Sequence, residues 1–303
     1  MLLWFIGSLS VDPCSQYHHY DEYEAANHPF LHTYCQLVVK RTKSNKDIDA
    51  RNFYRKYHIF EYGSRCGVID AKNIADDFVN LFLPRLCLAC RGHLVRGERI
   101  LCTECLLSMA RTDFHQKRDN LLEQAFWGRC LIERAAAYSV YNRGSRIRKL
   151  IHSLKYEGRT DIGRILGEMY GAVLAESGFM DGIDLIIPVP LHPARQRKRG
   201  YNQRECIARG LTASTGVAYR SDIMIRAEGD GSQTSRGRYE RWENVEGLFR
   251  VRKPDQISGR HILVVDDVIT TGSTIEACVT ALQSAGNVRV SVAALAAAQK
   301  LSL

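Results

Sequence analysis

The stretch HILVVDDVITTGSTIEAC, residues 261–278, decides the fold class. Ile262, Leu263, Val264 and Val265 follow one another without polar alternation, the pattern of a parallel strand covered on both faces. Asp266 and Asp267 are therefore expected at its carboxyl end. Beyond them Thr270, Thr271, Gly272, Ser273 and Thr274 carry little bulk, so backbone N–H groups can close around a phosphate where a helix begins. Ser273 and Glu276 have the spacing of a capping box, Ile275, Cys278, Val279 and Leu282 make an apolar stripe of helical period, and Gly286 ends the helix. The chain has no GxxxxGK[ST] run and no GxGxxG following a strand, so neither a Walker loop nor a dinucleotide loop is supported. Two acids beside a phosphate suit a sugar phosphate, the carboxylates accepting from vicinal hydroxyls or holding a magnesium ion. The plainer alternative, a buried strand and a capped helix with two surface acids, leaves tandem aspartates at a strand end without a reason.

Working outward, LIIPVPLHPARQRKRGYNQRECIARGL (185–211) predicts a second buried strand, a Pro-punctuated basic loop carrying Arg195, Arg197, Lys198 and Arg199, and a helix from about Asn202 to Ser214. Such a loop after a parallel strand places its cations at the same carboxyl edge as the two acids, where open α/β sheets bind ligands. A solvated charge run is the alternative. A strand near Val217 to Ile225 precedes EGDGSQTSRGRYERWENVEG (228–247), which lacks apolar period and reads as a lid whose Arg236, Arg238 and Arg241 can fold over an anion. Leu248 to Val251 and Val288 to Leu295 are further strands. Upstream, RAAAYSVY (134–141) is a strand, and SRIRKLIHSLKYEGR (145–159) is a basic helix with Ile147, Leu150, Ile151 and Leu154 inward and Arg148, His152 and Lys155 bordering a site. Ile162, Ile165, Leu166, Met169 and Val173 mark a second helix, which closes at Gly178. Strands alternating with helices predict a mostly parallel sheet flanked by helices.

With 303 residues, 45% hydrophobic, the chain has room for one large domain and smaller modules, and a formal charge of +9 favours phosphates, pyrophosphate or nucleic acid as partners. Four of its ten cysteines form two CxxC pairs, Cys87 with Cys90 and Cys102 with Cys105, eleven residues apart (91–101). That spacing predicts a four-cysteine structural zinc module, folded by its metal rather than by a core of its own. A redox role is less apt, because thioredoxin-type chemistry uses one CxxC at a helix start. Metal binding accounts for these cysteines better than a disulfide framework, which leads us to expect a reducing, cytoplasmic compartment, and no apolar run reaches transmembrane length. Residues 75–133 are expected to hold this module behind a helix ended by Pro84, and 134–303 the sheet domain. Residues 1–74, rich in aromatics and histidines, read as an extension of unassigned role.

Residues 262–274 resemble the phosphoribosyl-pyrophosphate (PRPP) motif of type I phosphoribosyltransferases. Together with the paired CxxC, LIHSLKYEGR, IIPVPLHPARQRKRGYNQ and the segment bearing Gln233, Thr234, Arg238, Arg241, Asn244 and Val245, they resemble the ComF family from about Pro84 to Ala298. The resemblance implies a type I phosphoribosyltransferase-like fold and a PRPP ligand. Asp266 and Asp267 would hold the ribose hydroxyls as the catalytic acids, and Thr270, Thr271, Gly272, Ser273 and Thr274 the 5-phosphate. The pyrophosphate and lid contacts would come from Lys155, Arg195, Arg199, Tyr201, Asn202, Gln203, Gln233, Arg238 and Arg241. It implies magnesium with PRPP, structural zinc, and either glycosyl transfer to an acceptor or a non-catalytic part in competence and DNA uptake, with single-stranded DNA or a DNA-uptake protein as partner.

Overall fold

The computed structural model describes residues 84–227 and 247–301. The extension, the helix before Pro84 and the lid segment with Gln233, Arg236, Arg238 and Arg241 lie outside them. In chain order the helices are α1 (Thr103–Leu107), α2 (Leu121–Gln124), α3 (Arg146–Tyr156), α4 (Thr160–Glu176), α5 (Pro193–Arg199), α6 (Gln203–Thr215) and α7 (Ser273–Ala285). The strands are β1 (Arg134–Tyr141), β2 (Leu185–Pro188), β3 (Met224–Arg226), β4 (Phe249–Val251), β5 (His261–Ile269) and β6 (Arg289–Ala298).

β1, β6, β5 and β2 form one sheet in that order, every pair parallel, with helices packed against it. The register sets Val264 of β5 beside Ile187 on one side and Val292 on the other, all of them buried. β5 and β6 are apolar along nearly their whole length because each has a neighbour on both edges and cover on both faces. β2 is at the end of the sheet, where its Pro188 can lack a donor at no cost to a ladder. Residues 217–225 are mostly not strand. Tyr219 makes a single bridge to Ile186, and only β3 is regular, pairing antiparallel with β4 in a separate two-stranded ribbon.

Two expectations fail in detail. The Pro-punctuated segment is not a loop but the short helix α5, started by Pro193 behind a His192 side chain that accepts from Ala194 N–H, and ended by Gly200 at φ 83°. β5 does not stop at Val265 but runs on to Ile269, so Asp266 and Asp267 lie inside the strand, 2% and 1% exposed.

α4 and α6 pack unusually closely. Gly163, Gly167 and Gly171 repeat every fourth residue on α4 and meet Gly210 and its neighbours on α6; a Cβ on Gly167 would overlap the Ile207 carbonyl, and one on Gly210 the Arg164 carbonyl. This contact fixes the position of α6, whose first turn faces the acids.

The cysteine-bearing segment is continuous with the main core: Cys87, Ala89, Ile100, Cys105, Phe114, Leu122 and Phe126 are buried in the same cluster as the sheet. Its connection to β1 is held by buried Asn120. The Oδ1 of that residue accepts from Leu122 and Glu123 N–H, and its Nδ2 donates to the carbonyls of Phe114, Lys117 and Ala135.

Candidate functional site

The four sulfur atoms of Cys87, Cys90, Cys102 and Cys105 lie within 4.8 Å of one another. Cys90 Sγ and Cys102 Sγ are 3.7 Å apart, close to the edge of about 3.8 Å that a tetrahedron of 2.3 Å Zn–S bonds requires. Backbone donors already point at the sulfurs, Cys102 N–H to Cys87 and Gly92 N–H to Cys90. Burial works against a Cys87 thiolate, yet the N–H groups of Cys102, Cys90 and Ala89 bring its pKa down to about 7. The donor set fits one zinc ion. Buried Glu98, which sequence inspection passes over, ties the two turns together by accepting from Val95 N–H, Thr103 N–H and Thr103 Oγ1.

Asp266 and Asp267 do not wait at a strand end for a ligand; the protein has already paired them. Arg204, at the start of α6, donates Nε to Asp266 at 2.5 Å and stands 3.2 Å from Asp267. Lys155, at the end of α3, pairs with Asp267, and Gln203 Nε2 donates to Asp267 at 3.2 Å. Successive strand side chains normally point to opposite faces. Here both carboxylates nonetheless come within reach of the one Arg204 guanidinium. Burial raises Asp266 to a pKa of about 6, although Arg204 opposes it. Burial acts in the same sense on Asp267, but Arg204 and Lys155 outweigh it and hold that group low. Arg204 itself loses by burial and is kept charged by the two acids.

Asn202 is committed to structure, accepting from Arg204 N–H as the cap of α6 while its Nδ2 donates to Val189 O at the end of β2. Tyr201 donates its hydroxyl to Leu154 O and so ties the start of α6 to the end of α3. Arg199 bonds Gln203 and lies beside the ring of Tyr156. Arg195 is exposed on α5. The structure thus brings Lys155, Arg199 and Gln203 together with the acid pair, and adds Arg204, which charge patterning alone hides within a generally basic segment.

The loop after β5 has the expected shape but not the expected cap. Thr270, Thr271 and Ser273 are exposed, Thr274 is half-buried, and Gly272 is buried at φ 82° as the residue before α7. Ser273 Oγ turns to Thr271 Oγ1, and Glu276 takes Arg129 instead of closing a capping box. Arg129, beyond α2, also donates to Thr271 O at 2.8 Å. Phe126 lies so close that a Cβ on Gly272 would come within 2.8 Å of its ring. The segment following the cysteine module therefore forms one wall of the loop.

A magnesium ion ligated directly by the two acids does not fit. Three of their four oxygens are engaged by Lys155, Arg204 and Gln203, and a dication there would meet two fixed positive charges.

Residues 183–301 match the phosphoribosyl transferase domain family. The chain is 30% identical over 210 residues to the DNA utilization protein YhgH of Escherichia coli O6:H1, covering 64% of this chain and 89% of that protein. It is 26% identical over 221 residues to competence protein F of Haemophilus influenzae, covering 70% and 96%. Among solved structures, a glutamine PRPP amidotransferase from B. subtilis overlaps 46% of this chain and 30% of its own at 21% identity, with a TM-score of 0.33.

Proposed function

We propose, because this chain belongs to the ComF family, the family of DNA utilization protein YhgH and competence protein F, that it binds PRPP and transfers ribose 5-phosphate to an acceptor with release of pyrophosphate. The observation that carries this reading is the buried Asp266–Asp267 pair, held by Arg204, Lys155 and Gln203, on the strand that leads into the Gly272 loop. The loop N–H groups and the hydroxyls of Thr270, Thr271, Ser273 and Thr274 take the 5-phosphate at the start of α7. The ribose hydroxyls donate to the two carboxylates. Lys155, Arg199 and the lid arginines Arg238 and Arg241 offset the charge of the departing pyrophosphate, and Arg195 adds to the field at that edge. Magnesium arriving with PRPP would offset charge on the phosphates, apart from the acid pair. The four-cysteine cluster holds a structural zinc, and cysteines that serve a metal rather than a disulfide framework suit the cytoplasm. Among the described residues, no helix is long and apolar enough to cross a membrane.

A second reading is favoured by the acids being already neutralised by protein cations: PRPP or nucleic-acid phosphate is bound without turnover, in the service of competence or DNA uptake. Incubation with PRPP and magnesium across nucleobases, amines and single-stranded DNA, with pyrophosphate release as the readout, separates the two. Release that depends on one acceptor and is lost in Asp267→Asn supports transfer; PRPP binding by calorimetry without release under any acceptor leaves the binding reading.

A further inference from the structure

One exposed feature near the acid pair is not used by this scheme. Tyr156, the last residue of α3, is 69% exposed, although its neighbour Lys155 turns inward to Asp267. The Arg199 guanidinium lies 5.6 Å from the centroid of its ring, and the His152 ring 4.9 Å away at 49°. Arg199 is bonded to Gln203, and Gln203 to Asp267, so the aromatic ring is connected to the acids through two side chains.

Arg148, His152 and Tyr156 recur every fourth residue and therefore share the outer face of α3, a row about 12 Å long. At the other end of that row is a cleft of about 320 Å3 lined by Tyr141, Asn142, Arg143 and Arg148. It opens at the carboxyl end of β1, hence on the same edge of the parallel sheet as the acid pair. Arg143 and Arg148 are exposed, and neither forms an ion pair among the described residues. An exposed aromatic ring with a guanidinium beside it, Arg148 further along the same helix and Arg143 in the turn before it, the two arginines without an ion pair among the described residues, has the chemistry of a surface that stacks a base and holds a phosphate.

We propose that the outer face of α3 is a nucleotide-binding track, with the base stacked on Tyr156 and phosphate held by Arg148 and Arg143, which leads an acceptor to the acid pair. The acceptor role rests on the phosphoribosyl reading of Asp266 and Asp267; the track itself rests on the geometry of α3. Its ligand is a nucleotide unit, free or within a single strand.

The test uses the full-length, metal-loaded chain with two probes, AMP and a fluorescein-labelled oligothymidylate of about ten nucleotides, a length within the usual single-strand site size. Tyr156→Ala should weaken binding of the ligand about ten-fold, and Tyr156→Phe should restore it, because stacking needs the ring and not the hydroxyl. Arg143→Ala with Arg148→Ala should weaken the oligonucleotide and reduce its salt dependence by about two counterions. A Tyr156 dependence seen with AMP identifies a free nucleotide; one seen only with the oligonucleotide identifies a strand. The track is refuted where wild type binds neither probe, or where Tyr156→Ala binds both as wild type does. PRPP calorimetry on the same proteins keeps the two proposals apart. PRPP binding with no Tyr156 effect refutes the track alone, and Tyr156-dependent nucleotide binding without PRPP binding refutes the phosphoribosyl reading alone.

Discussion

At the scale of single residues the site is an exchange of partners. Asp266 and Asp267 are tolerable in the core only because Arg204 and Lys155 neutralise them. Arg204→Ala leaves two buried carboxylates short of a cation and should lower stability by about 3–5 kcal/mol, measured by denaturant unfolding; a loss under about 1 kcal/mol would mean that water reaches the pair. Ligand binding distinguishes the acids from a generic anion site. Asp267→Asn removes a charge-assisted acceptor for a ribose hydroxyl and should weaken PRPP about ten-fold or more, while pyrophosphate binds equally well or better. If both ligands respond alike in calorimetry, the ribose assignment is wrong. The pH dependence has a definite sign as well. With Asp266 raised by burial to about 6, lowering the pH through that value protonates an acceptor, so PRPP affinity should fall on the acid side. PRPP phosphate groups titrate in the same region, so the contribution of Asp266 is the part of the fall that Asp266→Asn abolishes.

At the scale of elements, what local pattern carries is legible and what distant partners decide is not. RAAAYSVY is a strand over those same residues, and the apolar period of α4 and α7 marks both helices to within a few residues of their ends. The end of β5 is missed because a change from Val265 to Asp266 looks like an exit to solvent. The strand continues because Arg204, 62 residues away, makes burial of the acid possible. The capping box fails similarly, since Glu276 is taken by Arg129 at a separation of 147 residues. Glycine spacing on α4 was open to inspection, but its meaning, a close crossing with α6, depends on knowing the partner. Removing that closeness is testable: Gly210→Ala should destabilise by about 1–3 kcal/mol and displace the Gln203–Arg204 turn. Unchanged unfolding would show that the two helices have room to part. For the phosphate loop, Arg129→Ala removes its bonds to Thr271 O and Glu276 and should weaken PRPP about five-fold, equivalent to about 1 kcal/mol. Equal affinity would show that α7 alone sets the loop.

At the scale of the whole molecule the question is how the cysteine cluster and the acid pair influence each other. α3 lies between them. Near its start, Arg146 donates to the Ser108 carbonyl, three residues beyond Cys105, and Lys149 Nζ donates to Ala89 O at 2.7 Å, between Cys87 and Cys90; at its end, Lys155 holds Asp267 and Leu154 O accepts from Tyr201. An 11-residue helix spans about 16 Å and is stiff over that length, so a shift at its first turn reaches Lys155 largely undiminished. The helix is also held by its buried side, Ile147, Leu150, Ile151 and Leu154, against the core. The two anchorages compete to explain its position, and metal removal separates them. If the cysteine module helps to place α3, stripping zinc should lower the thermal midpoint and weaken PRPP about ten-fold. Lys149→Ala, which loses one hydrogen bond worth about 1 kcal/mol, should cost only a few-fold in the metal-loaded protein. Zinc-free protein that still binds PRPP with the affinity of the loaded form would show that the apolar side of α3 suffices, and that the module serves something other than this site.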